Sequence, residues 1–272
     1  MVKYVVSLHK NKGRRKYGEY LIEGKRFVKE AFLRQAPISR IFYWDMKKTG
    51  SNNTAVSQVG TGETNEIADL VRLASEANIP AVEVTEAVMR KMSTTEEPQG
   101  ILATVKITPV DWDGLVVNKD TILLVLDGIQ DPGNLGTILR TALAADVRQI
   151  ILTEGTVDVY NPKVLRSSMG AVFSTKILID QTPEQIVNFC RKTKCTLAVS
   201  TMEGDSIFSS EACPNYPLAL VIGNEAFGPS AYFLQKAEKK YSIPMFNNVE
   251  SLNAAMAAGI FLYELRRQAG FL

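Results

Sequence analysis

The sequence predicts a two-domain α/β protein whose second domain is a parallel sheet covered by helices on both faces. Three observations predict it. At 272 residues the chain is long for one domain and comfortable for two. From Thr121 onward, short continuous apolar runs recur over 122–126, 149–153, 176–179, 196–200, 218–222 and 241–244, with helical stretches between them. That pattern belongs to parallel strands buried on both faces. Upstream, a smaller alternation of helices and strands ends near residue 108, and the Pro- and Gly-containing stretch that follows has linker composition. Domains are therefore expected at 1–108 and 118–272, joined by 109–117.

The first domain opens on Lys10-Asn-Lys-Gly-Arg-Arg-Lys16, a cationic cluster in which Gly13 and Gly18 are expected to break regular structure. Tyr4, Tyr17 and Tyr20 lie beside it, which suits phosphate contacts with base or ribose stacking. A flexible, solubilising end has the same composition. His9 is the only histidine, and nothing in the sequence sets a carboxylate or serine beside it; it reads as a bystander or an RNA contact. A helix follows over 23–33 with Phe27, Ala31 and Phe32 inward, then a strand over 38–44. Residues 47–65, rich in Gly, Ser, Thr and Asn, read as a mobile loop. A helix over 66–78 has Ile67, Leu70, Val71 and Ala74 in phase; a strand over 80–84, a short helix over 87–92 and a strand over 100–107 complete the unit.

Composition narrows the function. The net charge of +2 hides an asymmetry: residues 1–48 carry 13 Lys and Arg against 4 Asp and Glu, and the remainder carries 18 against 25. A basic end on an acidic body predicts a polyanion-binding domain, with nucleic acid the leading partner. No apolar run reaches the length of a membrane span and the start lacks a long apolar signal core, so no membrane partner is expected. Cys190, Cys195 and Cys213 form no CxxC pair, which argues against disulfides and zinc and for a reducing, cytoplasmic setting. One isolated histidine leaves little room for nucleophilic triads. Neither a GxxxxGK[ST] loop nor a GxGxxG after a strand is present, so nucleoside-triphosphate and dinucleotide chemistry lose their usual phosphate cradles. No metal is expected.

Three stretches of the second domain carry chemistry. In 131–145, Asp-Pro-Gly breaks the chain after the strand at 122–126, and Asn134 is placed to cap the helix that follows. Leu135, Ile138, Leu139, Ala142 and Leu143 fall on one face of that helix, and Thr137, Arg140 and Thr141 on the other. Arg140 thus points away from the core near a strand-to-helix turn, where open α/β sheets place their ligands; a solvated surface arginine is the plain alternative. In 218–230 a buried strand runs into Gly-Asn-Glu. Gly223 would let a ligand approach the backbone, and Glu225 would stand at the sheet's carboxyl edge or serve only as a polar turn residue. In 247–264, Ser251 is a natural N-cap for a helix beginning at Leu252. That helix is apolar around most of its surface, which predicts burial by the sheet and by another subunit. Asn253, polar in this apolar setting, needs a partner or a ligand.

Together, DPGNLGTILRTA, LVIGNEAFGPS and SIPMFNNVESLNAAMAAGIFLYE resemble the three signature motifs of the SpoU (TrmH-like) branch of the SPOUT RNA methyltransferases, in the same order and spacing. Asn161-Pro-Lys-Val-Leu-Arg-Ser-Ser-Met-Gly170 is similar to the family's segment between the first two motifs. Residues 21–26 (LIEGKR) and 98–101 (PQGI) are similar to the family's substrate-binding domain, which is L30e-like. The resemblance covers nearly the whole chain. It implies an N-terminal L30e-like domain and a C-terminal SPOUT domain with a deep trefoil knot, in which S-adenosylmethionine is held bent, largely by backbone groups. Thr201, Gly223, Ile243 and Leu252 match the cofactor-binding positions. Asn134, Arg140, Glu225, Ser251 and Asn253 match the catalytic ones, and the family's homodimer lets one subunit complete the other's site. The third motif departs from relatives at Ala255, where a serine is common, so no serine role is carried to that position.

The implied reaction is methyl transfer from S-adenosylmethionine to a ribose 2′-hydroxyl of structured RNA, most readily 23S-type ribosomal RNA. Transfer RNA, or a non-catalytic RNA-binding module, are the alternatives. A guanidinium is hard to deprotonate, so Arg140 is better suited to clamping a phosphate and stabilising a developing alkoxide than to acting as a base. Lys12, Arg14, Arg15, Lys16, Lys25 and Arg26 are the candidate RNA contacts of the basic domain.

Overall fold

The computed structural model describes residues 1–44, 66–209, 215–247 and 249–270. The loop expected over 47–65 lies wholly outside them, as does Cys213. The chain divides into two compact units, Met1–Thr108 with Tyr160–Arg166, and Pro109–Val159 with Ser167–Leu272. Two details differ from the sequence expectation. Residues 109–117 are not a free linker: Leu115 is buried in the second unit's core, Val110, Trp112 and Val117 pack against it, and the Trp112 and Phe189 rings lie 4.8 Å apart. Burying that much apolar surface outweighs the loop-like composition of Pro109 and Gly114. In addition, Tyr160–Arg166 belongs by its contacts with the first unit, where Tyr160 stacks on Tyr20 at 4.6 Å.

The first unit runs α1 (Val2–Ser7), α2 (Asn11–Tyr17), β1 (Glu19–Glu23), α3 (Lys25–Leu33), β2 (Ile38–Tyr43), α4 (Glu66–Glu76), β3 (Ala81–Glu83), α5 (Glu86–Met92) and β4 (Ile101–Lys106). Its sheet has the order β1-β4-β2-β3, antiparallel at β1/β4 and β4/β2 and parallel at β2/β3. The basic cluster is helical, contrary to expectation. Gly13 does not break α2: a Cβ there would come within 1.9 Å of the Ser7 carbonyl oxygen, so its missing side chain lets α2 close on α1. Gly18 ends the helix at φ 62°, a left-handed C-cap. In α3 the buried positions are Val28 and Ala31, with Phe27 and Phe32 half-buried.

The second unit contains β5 (Ile122–Asp127), α6 (Pro132–Ala144), β6 (Gln149–Thr153), α7 (Pro162–Ser168), β7 (Lys176–Gln181), α8 (Pro183–Thr193), β8 (Thr196–Ser206), β9 (Leu218–Gly223), α9 (Ala231–Lys236), β10 (Lys239–Ser242) and α10 (Ala254–Gln268), although α7 begins in the part of the chain that belongs with the first unit. All six strands pair in parallel, in the order β10-β8-β9-β5-β6-β7. Every residue of β5 and β9 is buried, as continuous apolar strands covered on both faces require. The strands leave β5 toward β6 and β7, and β8 and β9 then fill the other side. Their reversal puts a crevice at the carboxyl ends of β5 and β9.

Two local features shape that crevice. β10 pairs with β8 at 198–199 and again only at 205–206, so residues 200–204 bulge out of the ladder. Gly204 makes the bulge compact, because a Cβ there would lie 2.7 Å from the Lys240 carbonyl. Second, α6 and α10 pack side by side at Gly259, where an added Cβ would touch Thr141 Cγ2 at 3.4 Å.

Candidate active site

The carboxyl end of β5 fixes one side of the site. Asp127, the single carboxylate of an otherwise apolar strand, is buried; its Oδ1 accepts from Thr153 Oγ1 at 3.0 Å and its Oδ2 from the Ser230 amide at 2.7 Å. It thereby anchors the far end of the turn after β9. Asn224 builds the turn itself. Its Nδ2 donates to the Gly128 carbonyl at 2.8 Å, its Oδ1 accepts from the Ala226 amide at 2.9 Å, and its main chain bonds Gly228 in both directions. The turn closes tightly over Gly223. A Cβ there would fall 2.0 Å from Pro229 N and 2.1 Å from the Gly228 carbonyl carbon. The close neighbour that demands glycine is therefore the chain's own Gly228–Pro229, and not a ligand as the sequence suggested.

The turn presents Glu225 to a chain of amides. Asp131, and not Asn134, is the N-cap of α6: its Oδ1 accepts from the Asn134 amide at 2.7 Å. Asn134 lies three residues in, so its side chain is free for another task. Likewise Asn253, and not Ser251, caps α10, which begins at Ala254; Asn253 Oδ1 accepts from the Ala255 and Met256 amides at 3.0 and 3.4 Å. That settles the orientation of everything downstream. With its oxygen committed to helix amides, Asn253 must turn Nδ2 outward, and it donates to Asn134 Oδ1 at 2.9 Å. Asn134 must then turn its own Nδ2 outward, and it donates to Glu225 Oε1 at 2.6 Å. The relay runs from the N-terminal end of a 15-residue helix to a carboxylate, each donor facing the next acceptor, and so fixes the orientation of Glu225. It holds one carboxylate oxygen, and the other takes no hydrogen bond among the described residues.

Beside this relay lies a cavity of about 430 Å³, within the range of small-molecule sites. Its walls come from the β8 bulge (Ser200, Thr201, Met202), the turn after β9 (Gly223 to Pro229), Ile243, Met245, Glu250, Ser251 and Leu252, and the start of α10. The expected cofactor positions Thr201, Gly223, Ile243 and Leu252 all line it, as do Glu225 and Ser251. Asn134 and Asn253 do not line it and reach it only through Glu225. Its described lining contains the carboxylates Glu225 and Glu250 and no lysine or arginine, with Ile222, Leu234, Ile243 and Phe261 among the apolar groups. An apolar chamber with acidic residues suits a flat aromatic ring joined to a cationic group. S-adenosylmethionine, with its adenine, sulfonium and ammonium, fits that chemistry.

Arg140 is exposed on α6, does not line the cavity, and makes no side-chain hydrogen bond or ion pair among the described residues. Six residues from Asn134, it lies about 120° around the helix from it. The two are thus not brought together within one chain. Ser251 is exposed at the cavity wall.

The expected RNA contacts divide. Lys12, Arg15, Lys16 and Arg26 are exposed. Lys12 and Lys16, four residues apart, share a face of α2 with Arg15 beside them. Arg14 is 4% exposed and donates Nη1 to the Leu8 and His9 carbonyls at 2.8 and 3.0 Å, so it caps α1 and is not a candidate RNA ligand. Lys25 is half-buried and pairs with Glu66 at 3.7 Å. His9 Nε2 bonds the Met92 carbonyl at 2.9 Å, a structural contact. Sequence reading passed over Asp127 and Asn224; the signal for both was a lone polar group at the end of an otherwise apolar strand.

Comparison with known proteins fits this geometry. Residues 121–263 match the SpoU rRNA Methylase family and residues 1–103 the MRM3-like substrate binding domain. The chain is 31% identical over 259 residues to the 23S rRNA (guanosine(2553)-2'-O)-methyltransferase RlmP of Bacillus subtilis, covering 95% of this chain and 93% of that protein. It is 29% identical to the 23S rRNA (uridine(2479)-2'-O)-methyltransferase of Streptomyces viridochromogenes, covering 94% and 85% of the two. The AdoMet-bound rRNA methyltransferase from Sinorhizobium meliloti superposes with a TM-score of 0.82 at 25% identity, covering 98% of this chain and 94% of that one. The chain belongs to the SpoU rRNA methylase family.

Proposed function

We propose that this protein transfers a methyl group from S-adenosylmethionine to a ribose 2′-hydroxyl of ribosomal RNA, acting as a homodimer. The observation that carries the reading is the Asn253–Asn134–Glu225 relay ending at the wall of a cavity suited to that cofactor. S-adenosylmethionine supplies an electrophilic methyl on its sulfonium when bound. Thr201, Gly223, Ile243 and Leu252 would hold it, largely through main-chain groups and apolar contact. The three segments that carry these positions would be threaded as the family's deep trefoil knot.

The chain's own task is to present the hydroxyl. The second oxygen of Glu225, which takes no hydrogen bond among the described residues, is placed to accept the 2′-hydroxyl's hydrogen bond, while the relay holds the carboxylate in position. Such positioning can supply several kcal/mol of barrier lowering. Arg140 clamps the neighbouring phosphate and stabilises negative charge on the attacking oxygen. Since Arg140 lies off its own cavity, it serves the site of the partner subunit. The outer face of α10 supports such a dimer: Met256 and Tyr263 are 61% and 44% exposed, with Ile260 between them at helical spacing. The basic unit, through Lys12, Arg15, Lys16 and Arg26, holds the RNA backbone. No described helix is long and apolar enough to cross a membrane; a cytoplasmic setting is proposed from the cysteine spacing, which forms no CxxC pair.

The test is transfer of labelled methyl from S-adenosylmethionine to unmodified ribosomal RNA and, in parallel, unmodified transfer RNA. Label in the ribosomal pool alone supports the proposal. Label in the transfer RNA alone moves the substrate class, and tight RNA binding with no cofactor binding points to a binding module.

A further inference from the structure

The turn that carries Glu225 ends in a feature the mechanism does not use. Phe227 is 89% exposed, the highest exposure of any large apolar residue described. It does not sit on a loose loop. The Phe227 and Ala226 amides both donate to Asn224 Oδ1, Asn224 and Gly228 bond main chain to main chain, and Asp127 anchors Ser230. Gly228 takes the left-handed conformation that closes the turn, at φ 68°. A solvent-exposed phenyl ring held on a well-braced turn costs solvation free energy that a polar residue would avoid.

Its place relative to Glu225 suggests what covers it. Two residues along the chain, its Cα lies at most about 7 Å from that of Glu225, and both residues line the same cavity. A ribose whose 2′-hydroxyl meets Glu225 has its base attached at the adjacent ring carbon, so the base lies within reach of this ring. To bring that hydroxyl to the cavity, the nucleotide must leave its neighbours and lose a stacking partner. An exposed aromatic face restores one, and stacking on it is tolerant of base identity. We propose that Phe227 is a substrate-positioning residue: its ring stacks on the nucleobase of the target nucleotide and holds the ribose against Glu225. This rests on the methyltransferase reading above. The occupant is the RNA base, and a second copy of this chain is the competing occupant.

The experiment compares the unsubstituted full-length protein with Phe227→Ala, Phe227→Leu and Phe227→Trp in steady-state methyl transfer to unmodified 23S ribosomal RNA. Cofactor affinity is measured by calorimetry and molecular mass by light scattering. The proposal expects Phe227→Ala to lower kcat/KM for RNA by about five- to hundredfold, the scale of one lost base stack. Phe227→Trp should recover to within about threefold and Phe227→Leu should not, with every rate taken at saturating cofactor, as set by the calorimetry, and with mass unchanged throughout. Unchanged kinetics in Phe227→Ala, or equal rescue by Leu and Trp, overturns it. Loss of the dimer in Phe227→Ala overturns it in favour of a subunit contact. Absence of transfer by the unsubstituted protein rejects the methyltransferase reading first, and this inference with it.

Discussion

At the scale of single residues, the site is an exercise in committed hydrogen bonds. Asn253 gives its oxygen to helix amides, so its nitrogen must face Asn134, and Asn134 must face Glu225. Replacing Asn253 by Ala removes the cap of α10 and the first link together. It should cost about 1 kcal/mol of stability, lower Tm by about 2–4 °C and slow methyl transfer. Asn134→Ala should slow transfer comparably with a smaller change in Tm, because Asp131 still caps α6; thermal melts beside rate measurements separate the two. Arg140→Ala should lower kcat by about 10²–10³, the usual loss for one charge-stabilising donor, and leave cofactor affinity within about twofold. Retained activity would remove Arg140 from the mechanism. The residue types of this site were legible in the sequence, and their pairing was not. Asn134 and Ser251 both stand where a cap is plausible, and only the three-dimensional positions of Asp131 and Asn253 show which group takes the amides.

At the scale of elements, glycine positions decide whether the cavity exists. Gly223 ends β9 directly beneath the Gly228–Pro229 backbone, with a gap too small for any Cβ. Gly223→Ala must displace main chain, so the cavity wall should shift: cofactor affinity falls by more than about tenfold and Tm drops by several degrees. Normal affinity in calorimetry would show that the turn can move aside freely. The apolar strands were readable because parallel strands buried on both faces announce themselves in composition. The β8 bulge over 200–204 was not, since its cause is a change of register with β10, a long-range pairing that no local pattern encodes. The helical state of the basic cluster was hidden in the same way. Gly13 reads as a breaker in sequence, whereas it is needed for contact between two helices.

At the scale of the whole molecule, the proposal that catalysis belongs to a pair of subunits rests on an exposed Arg140 on one face of α6 and exposed apolar residues on α10. If so, two inactive proteins should repair each other. A mixture of Arg140→Ala and Glu225→Ala subunits, unfolded and reassembled together, should recover roughly a quarter of the full activity, since half the dimers are mixed and each holds one intact site. No recovery, with mixed dimers present, would place both residues in one subunit's site. The charge asymmetry between the start of the chain and the rest was legible in the sequence, whereas the attachment of Tyr160–Arg166 to the first unit was not, because it crosses the order of the chain. The measurement that bears most directly on the central claim is nucleoside analysis of ribosomal RNA after a single turnover with S-adenosylmethionine, run with the unsubstituted protein and with Glu225→Gln. The expected result is one 2′-O-methyl nucleoside with the unsubstituted protein, formed at least about tenfold more slowly by Glu225→Gln at equal cofactor occupancy. A methylated base, or a 2′-O-methyl product formed equally fast by both proteins, would contradict it.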